Sequence, residues 1–247
     1  MSEAAPLFEA RRLTKRFQGL VALDAVSFTI AGGSIMGLIG PNGAGKSTLV
    51  SLIGGSLRLD GGEILLEGAR IDHLPPYRRA HLGIGRTYQI AKPFPGLTVL
   101  ENVALGAMFG LHGGEHDRRK VRGEAAEWLD FVGLSGQAEQ RADRLGGPDR
   151  KRLEFAKALA MKPKLLLLDE VMAGLTPLEV ESVVALIKRI RDRGVTILVI
   201  EHVMPAIRRL SDRLLVLRHG QLIAAGDPTE VLNDPAVIEA YLGRRRA

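Results

Sequence analysis

Apolar and polar positions along the chain divide it into three stretches of different rhythm. In the first, short apolar runs alternate with polar residues. Residues 7–10 predict a brief strand, and Leu20–Ile30 predicts a second through Val21, Leu23, Val26, Phe28 and Ile30, ended by Ala31-Gly32-Gly33. Ile35–Ile39 is a compact apolar run, residues 47–57 read as a helix, and residues 63–67 predict a further strand after the turn Asp60-Gly61-Gly62. In the middle stretch the period lengthens. Residues 98–108 have a helical pattern that Gly113-Gly114 interrupts. Arg118–Val132 is strongly amphipathic, with Val121, Ala125, Trp128, Leu129 and Val132 on one side. Pro148 suits the first turn of another helix over 149–161.

The last stretch alternates the two periods. Residues 165–168 form a buried strand, 177–193 a helix closed by Gly194, 195–200 a strand and Met204–Leu210 a helix. Residues 214–217 and 221–224 predict a hairpin around His219-Gly220, and 228–242 a final helix. Strands alternating with helices imply an α/β fold with a mostly parallel sheet. The expected organisation is a single domain over 1–247, with an N-terminal antiparallel β part and a helical segment, 92–162, inserted in the α/β core.

Composition narrows the class. The chain has 247 residues, 46% apolar and 25% charged, an ordinary balance for a globular protein large enough to bury a core. It has no cysteine, which excludes disulfides and thiolate metal sites. No apolar run approaches the roughly 20 residues of a membrane helix. Residues 1–9 lack a basic stretch followed by an apolar one, so no secretory signal is expected. The net charge of +6, with a cluster at Arg244-Arg245-Arg246, suits a solvated tail or contact with an anionic surface.

Between the strand Ile35–Ile39 and the helix after it lies Gly40-Pro41-Asn42-Gly43-Ala44-Gly45-Lys46-Ser47-Thr48. This fits G-x-x-x-x-G-K-[ST], in which glycines let successive amides point at phosphate oxygens and the helix adds its positive end. Lys46 is placed to reach the β- and γ-phosphates and Ser47 to ligate Mg²⁺. A chance match in a chain of this length is on the order of one per cent, so ATP is the expected ligand. A second buried strand ends in Asp169-Glu170. Asp169 is placed to hold Mg²⁺, and Glu170 to polarise the attacking water as general base. His202, two residues beyond another strand, suits contact with the γ-phosphate or orientation of the water. Gln89 stands before a proline-broken loop, where an amide can ligate Mg²⁺, and Phe17 suits either the core or a base-stacking surface.

The order of these features resembles the ATP-binding subunit of an ABC (ATP-binding cassette) transporter over nearly the whole chain: phosphate loop, Gln89, helical segment, Asp169-Glu170, His202. The resemblance implies that Phe17 stacks on adenine and that Gln89 lies in the loop linking Mg²⁺ to the membrane partner. It places Ala173-Gly174-Leu175-Thr176 at the dimer seam and makes His202 the switch histidine. Five segments are similar to the group that imports branched-chain amino acids, urea and related solutes: Gly83-Ile-Gly85-Arg86-Thr87-Tyr88-Gln89, Thr98-Val-Leu-Glu101-Asn102-Val103, the run Asp169 to Pro177, Ile200-Glu-His-Val-Met204 and Asp234-Pro-Ala-Val-Ile-Glu-Ala-Tyr-Leu-Gly243. Implied partners are integral membrane permeases, a second ATPase subunit (a paralogue or a copy) closing on ATP as a sandwich dimer, and indirectly a solute-binding protein. The implied location is the cytoplasmic face of the inner or plasma membrane, as a peripheral subunit, with no nucleic acid expected. The alternatives are a soluble ATPase of the same family acting on nucleic acid or complex assembly, and a regulatory ATP-binding subunit with weak turnover.

One segment departs from the family. Where its signature reads Leu-Ser-Gly-Gly-Gln, this chain reads Leu145-Gly146-Gly147-Pro148-Asp149. Gly146 has no hydroxyl and Pro148 no N–H with which to grip the ATP held by the opposite subunit.

Overall fold

The computed structural model describes residues 5–87 and 93–242. The Gln89 position and the Arg244–Arg246 cluster lie outside those residues. Strand β1 (Phe8–Phe17) pairs antiparallel with β2 (Leu20–Ile30). β3 (Ile35–Ile39) leads through the glycine-rich loop to helix α1 (Lys46–Ile53), followed by β4 (Gly61–Leu66), β5 (Ala69–Arg70), α2 (Pro76–His81) and β6 (Ile84–Arg86). Then come α3 (Val99–Met108), α4 (Arg118–Val132) and α5 (Gly147–Ala160), packed on one another. The chain continues with β7 (Leu165–Asp169), α6 (Pro177–Asp192), β8 (Thr196–Ile200), α7 (Met204–Leu210), β9 (Arg213–Arg218) and β10 (Gln221–Gly226). It closes with α8 (Pro228–Leu232) and α9 (Pro235–Leu242).

Two sheets result, one antiparallel in the order β2-β1-β4-β5 and one in the order β10-β9-β3-β8-β7-β6. The second is parallel except for the β9–β10 hairpin. In that hairpin His219 (φ 48) and Gly220 (φ 77) both take positive φ, the conformation that lets a two-residue turn follow the strands' twist. The parallel strands read as unbroken apolar runs because both faces are covered. Leu166, Leu168, Ile197, Val199, Ile35 and Ile39 join a core with α3 to α7, while Leu165, Leu167, Leu198, Ile200, Met36 and Leu38 join a second core with α1 and the antiparallel sheet.

Several elements depart from the pattern-based expectation. β1 runs from Phe8 to Phe17 rather than over 7–10, because register shifts after Ala10 and Leu13, with Arg12 at φ 50, break the alternation that marks a strand. α1 stops at Ile53, where Gly54 and Gly55 follow and the buried Arg79 guanidinium donates to the carbonyls of Leu52 (2.5 Å) and Ile53 (2.8 Å). α2 is too short and polar to show a period. The expected helix over 228–242 is two helices, since Pro235 cannot donate to a preceding turn and Asp234 starts the new helix by accepting from the Ala236 N–H at 2.7 Å.

Candidate nucleotide site

The register of the parallel sheet builds the site. Leu38 of β3 and Asp169 of β7 both pair with Ile200 of β8, so three strand ends stand in one row at the carboxyl edge. The glycine-rich loop leaves β3 there, Glu170 follows β7, and Glu201-His202 follows β8. An open parallel sheet places its ligand sites at this edge.

Two loop glycines are sterically required. A Cβ on Gly40 would lie 2.2 Å from the Leu217 carbonyl oxygen, and one on Gly45 (φ 105) 2.5 Å from that of Ala22. No acidic residue and no side-chain cap claims the first-turn amides of α1, so they are available to an anion. Lys46 is buried, and its Nζ donates to the carbonyls of Gly40 (2.7 Å) and Pro41 (3.0 Å). Burial lowers its ammonium below the ordinary value, while the charges of Glu170 and Asp169 pull it back up. Ser47 is exposed and Thr48 half-buried at the start of the same helix.

Asp169 ends β7, with its Oδ2 accepting from the Arg86 guanidinium at 3.1 Å. Glu170 is half-buried, holds a left-handed backbone (φ 50) and donates its N–H to the Ile200 carbonyl at 3.0 Å. Its Oε1 lies 2.6 Å from His202 Nε2, on an imidazole that is 40% exposed. Glu201, beside it, points the other way and is 1% exposed, accepting from the Met172 N–H at 2.8 Å. Burial pushes its carboxyl up to about 7, against the pull of the Met172 and His202 amides. One carboxylate and one hydroxyl, from Asp169 and Ser47, suit a hard divalent ion that takes its remaining ligands from phosphates and water.

The fold thus brings Lys46, Asp169, Glu170 and His202 to one edge. Phe17 is not in the core: it ends β1 at 41% exposure, with Lys15 Nζ 5.3 Å from its ring centre. Just beyond it in β2, Ala22 closes on Gly45 and Gly220. The Tyr241 hydroxyl of α9 meets the Gly40 backbone, and burial pushes it up to about 12. Residues 146–149 open α5 and keep separate company. Gly146 is the N-cap of α5 (φ −67, ψ 167) without a side-chain bond, with no atom within 4 Å of where a Cβ would stand. Pro148 occupies the first turn. Asp149 accepts from Gln137 Nε2 at 3.0 Å and pairs with Arg152 at 3.5 Å.

Sequence reasoning passes over Arg86, Lys151 and Glu201. Lys151 Nζ donates to the carbonyls of Val171 (3.0 Å) and Ala173 (2.5 Å). The only local signal is a glutamate directly after an apolar strand. A charged residue there reads as exposed until the fold is known.

A family model described as ABC transporter matches residues 23–173, and one described as branched-chain amino acid ATP-binding cassette transporter matches 221–247. Among curated proteins, the chain is 35% identical to the high-affinity branched-chain amino acid transport ATP-binding protein BraF of Pseudomonas aeruginosa, over 96% of this chain and 98% of that one. It is 37% identical to LivG, of the same description, of Escherichia coli K12, again over 96% and 98%. A nucleotide-free ATP-binding cassette from an ABC transporter superposes with a TM-score of 0.87 at 32% identity, covering 97% of this chain and 100% of that one. A dimeric ATP-binding cassette in a post-hydrolysis state, bound to ADP and Pi, gives 0.79 at 26% identity, covering 90% and 98%.

Proposed function

The chain belongs to the ABC transporter family, and on that premise we propose that it binds and hydrolyses ATP to power an importer of branched-chain or related amino acids. The observation that carries the reading is the 2.6 Å contact between Glu170 and His202 at the strand edge that also presents Lys46 and Asp169.

In this reading the loop from Gly40 to Thr48 cradles the phosphates and Lys46 leaves its loop carbonyls for the β- and γ-phosphate oxygens. Ser47 and Asp169, with Gln89, would hold Mg²⁺, which would supply charge neutralisation on the phosphates. Glu170 accepts a proton from the attacking water, and His202 orients that carboxylate and meets the γ-phosphate. Phe17 stacks on the adenine. The chain acts as one nucleotide-binding domain, with the helices between β6 and β7 as its inserted part.

No helix among the described residues is long and apolar enough to cross a membrane. In this reading the permeases are separate chains and this subunit works at their cytoplasmic face. Ala173-Gly174-Leu175-Thr176 lies at the seam with a second ATPase subunit, and a solute-binding protein delivers the cargo. The bare N-cap of α5 favours a paralogue as that second subunit, giving two unequal ATP sites. It also keeps open a mainly regulatory subunit with weak turnover.

Co-expression with the permease, ATPase and binding-protein chains encoded beside it, followed by reconstitution into vesicles, tests the reading. The expected result is ATP-dependent uptake of labelled leucine or a related amino acid that is lost with Lys46→Ala. Uptake that survives Lys46→Ala, or a chain that never co-purifies with a permease, sinks it.

A further inference from the structure

The residue after β7 carries a conformational burden. Glu170 is neither glycine nor asparagine, yet its φ is 50. Such a backbone persists only where its surroundings over-determine it. The turn that follows is gripped at three successive residues. Lys151 Nζ takes the carbonyls of Val171 (3.0 Å) and Ala173 (2.5 Å), and the Glu201 carboxylate takes the N–H of Met172 between them (2.8 Å). Val171 and Met172 are buried, and the Glu170 carbonyl closes the turn by accepting from the Ala173 N–H at 3.2 Å.

The two side chains come from different parts of the fold. Lys151 stands in the second turn of α5, the helix whose N-cap is Gly146. Glu201 immediately precedes His202, so one dipeptide holds the turn's backbone with its first residue and the Glu170 side chain with its second. A carboxylate buried this deeply is costly without donors and a counter-charge. It has the Met172 and His202 amides as donors and Lys151 as the nearby cation, with Glu170 as the opposing charge.

We propose that Lys151 and Glu201 are positioning residues for Glu170, fixing the turn from Val171 to Ala173 so that the carboxylate stays against His202. This rests on Glu170 being the general base. It also gives α5 a mechanical connection to that base: a shift of α5 moves Lys151, hence the turn, hence Glu170. Neither side chain needs to touch nucleotide for this.

The test uses the full chain in its assembled transporter. Lys151→Met and Glu201→Ala each lower kcat at least about tenfold, while KM for ATP and affinity for a non-hydrolysable analogue stay within about twofold, because misplacing a reacting group slows chemistry without weakening binding. Lys151→Arg and Glu201→Gln, which keep a donor and an acceptor, return kcat to within about threefold of the parent. Amide exchange over residues 170–176 quickens in Lys151→Met and Glu201→Ala but not in Glu170→Gln. If Glu201→Ala does not fold, Lys151→Met, a half-exposed site that keeps its apolar stem, carries the test. The proposal is overturned by an unchanged kcat in Lys151→Met, by binding and kcat falling together, by conservative variants as impaired as the severe ones, or by unaltered exchange. Glu170→Gln separates the two failures: if it retains turnover, the base assignment falls and this proposal with it. If it loses turnover while Lys151→Met does not, only the positioning role falls.

Discussion

The start of α1 and the start of α5 are both helix N-termini suited by type to phosphate, and they are equipped very differently. α1 follows two glycines locked by close backbone approaches, keeps its first-turn amides free of side chains and carries a buried lysine as its first residue. α5 opens on an uncapped glycine and has a proline where a donor would stand. It also places an aspartate in its first turn, tied to Gln137 and Arg152. An acid in that turn suits the helix itself but opposes an arriving phosphate. In the proposed function the difference separates holding one's own ATP from gripping a partner's. It shows that two termini of the same secondary structure are not equivalent sites.

The sharpest way to break this comparison is at the well-equipped end. Glu170→Gln should lower ATP turnover by about 10²- to 10⁴-fold, the range for losing a general base, with ATP binding retained. Single-turnover kinetics beside equilibrium binding checks it, and turnover within a few-fold of the parent removes Glu170 from the mechanism.

Next in size is the buried acid that faces Lys151 of α5 and Glu170. Glu201 is raised from 4.5 to about 7, so the folded state keeps a proton that the unfolded chain releases. Its contribution is therefore complete below about pH 4.5 and is lost as pH climbs through about 7, amounting to about 3 kcal/mol. Lys151 and Glu170 are the charges that face it. Denaturant melts at pH 4.5, 6 and 8 should show Glu201→Gln gaining on the parent by about that amount as pH rises. Parallel curves would show that the carboxyl does not titrate on unfolding.

The smallest effect sharpens the poorly equipped end. Gly146→Ser with Pro148→Gly supplies a hydroxyl and an amide where there is open space around the N-cap. Turnover of the assembled ATPase pair should rise by at least about tenfold, since even one charge-assisted donor to phosphate is worth about 1.5–3 kcal/mol. No change in rate means that this segment does not limit the cycle.

What the sequence made legible follows how local each signal is. The strand–loop–helix unit around Lys46 is written in consecutive residues, and so are the acids closing β7. That His202 meets Glu170 follows from β8 lying beside β7, which no local pattern specifies. Phe17 is ambiguous on sequence because an aromatic after an alternating strand serves core and surface equally; its exposure depends on where β1 ends. β1 itself is longer than its pattern because irregular register hides the period. Lys151 and Glu201 were invisible for a deeper reason: their partners are backbone groups of a turn, and a turn's amides and carbonyls have no residue-specific code.

The alternation of β3, β7 and β8 between two cores also governs how the molecule can come apart. Each of these strands gives every second side chain to the helical side and the rest to the α1 side. Neither half can melt alone without uncovering a face of the shared strands. The strand amides leading to the nucleotide edge should therefore exchange with solvent only in the global unfolding event, as a single cooperative unit. The glycine-rich loop and the turn after β7 thus stand on a floor that stays closed until the whole domain opens.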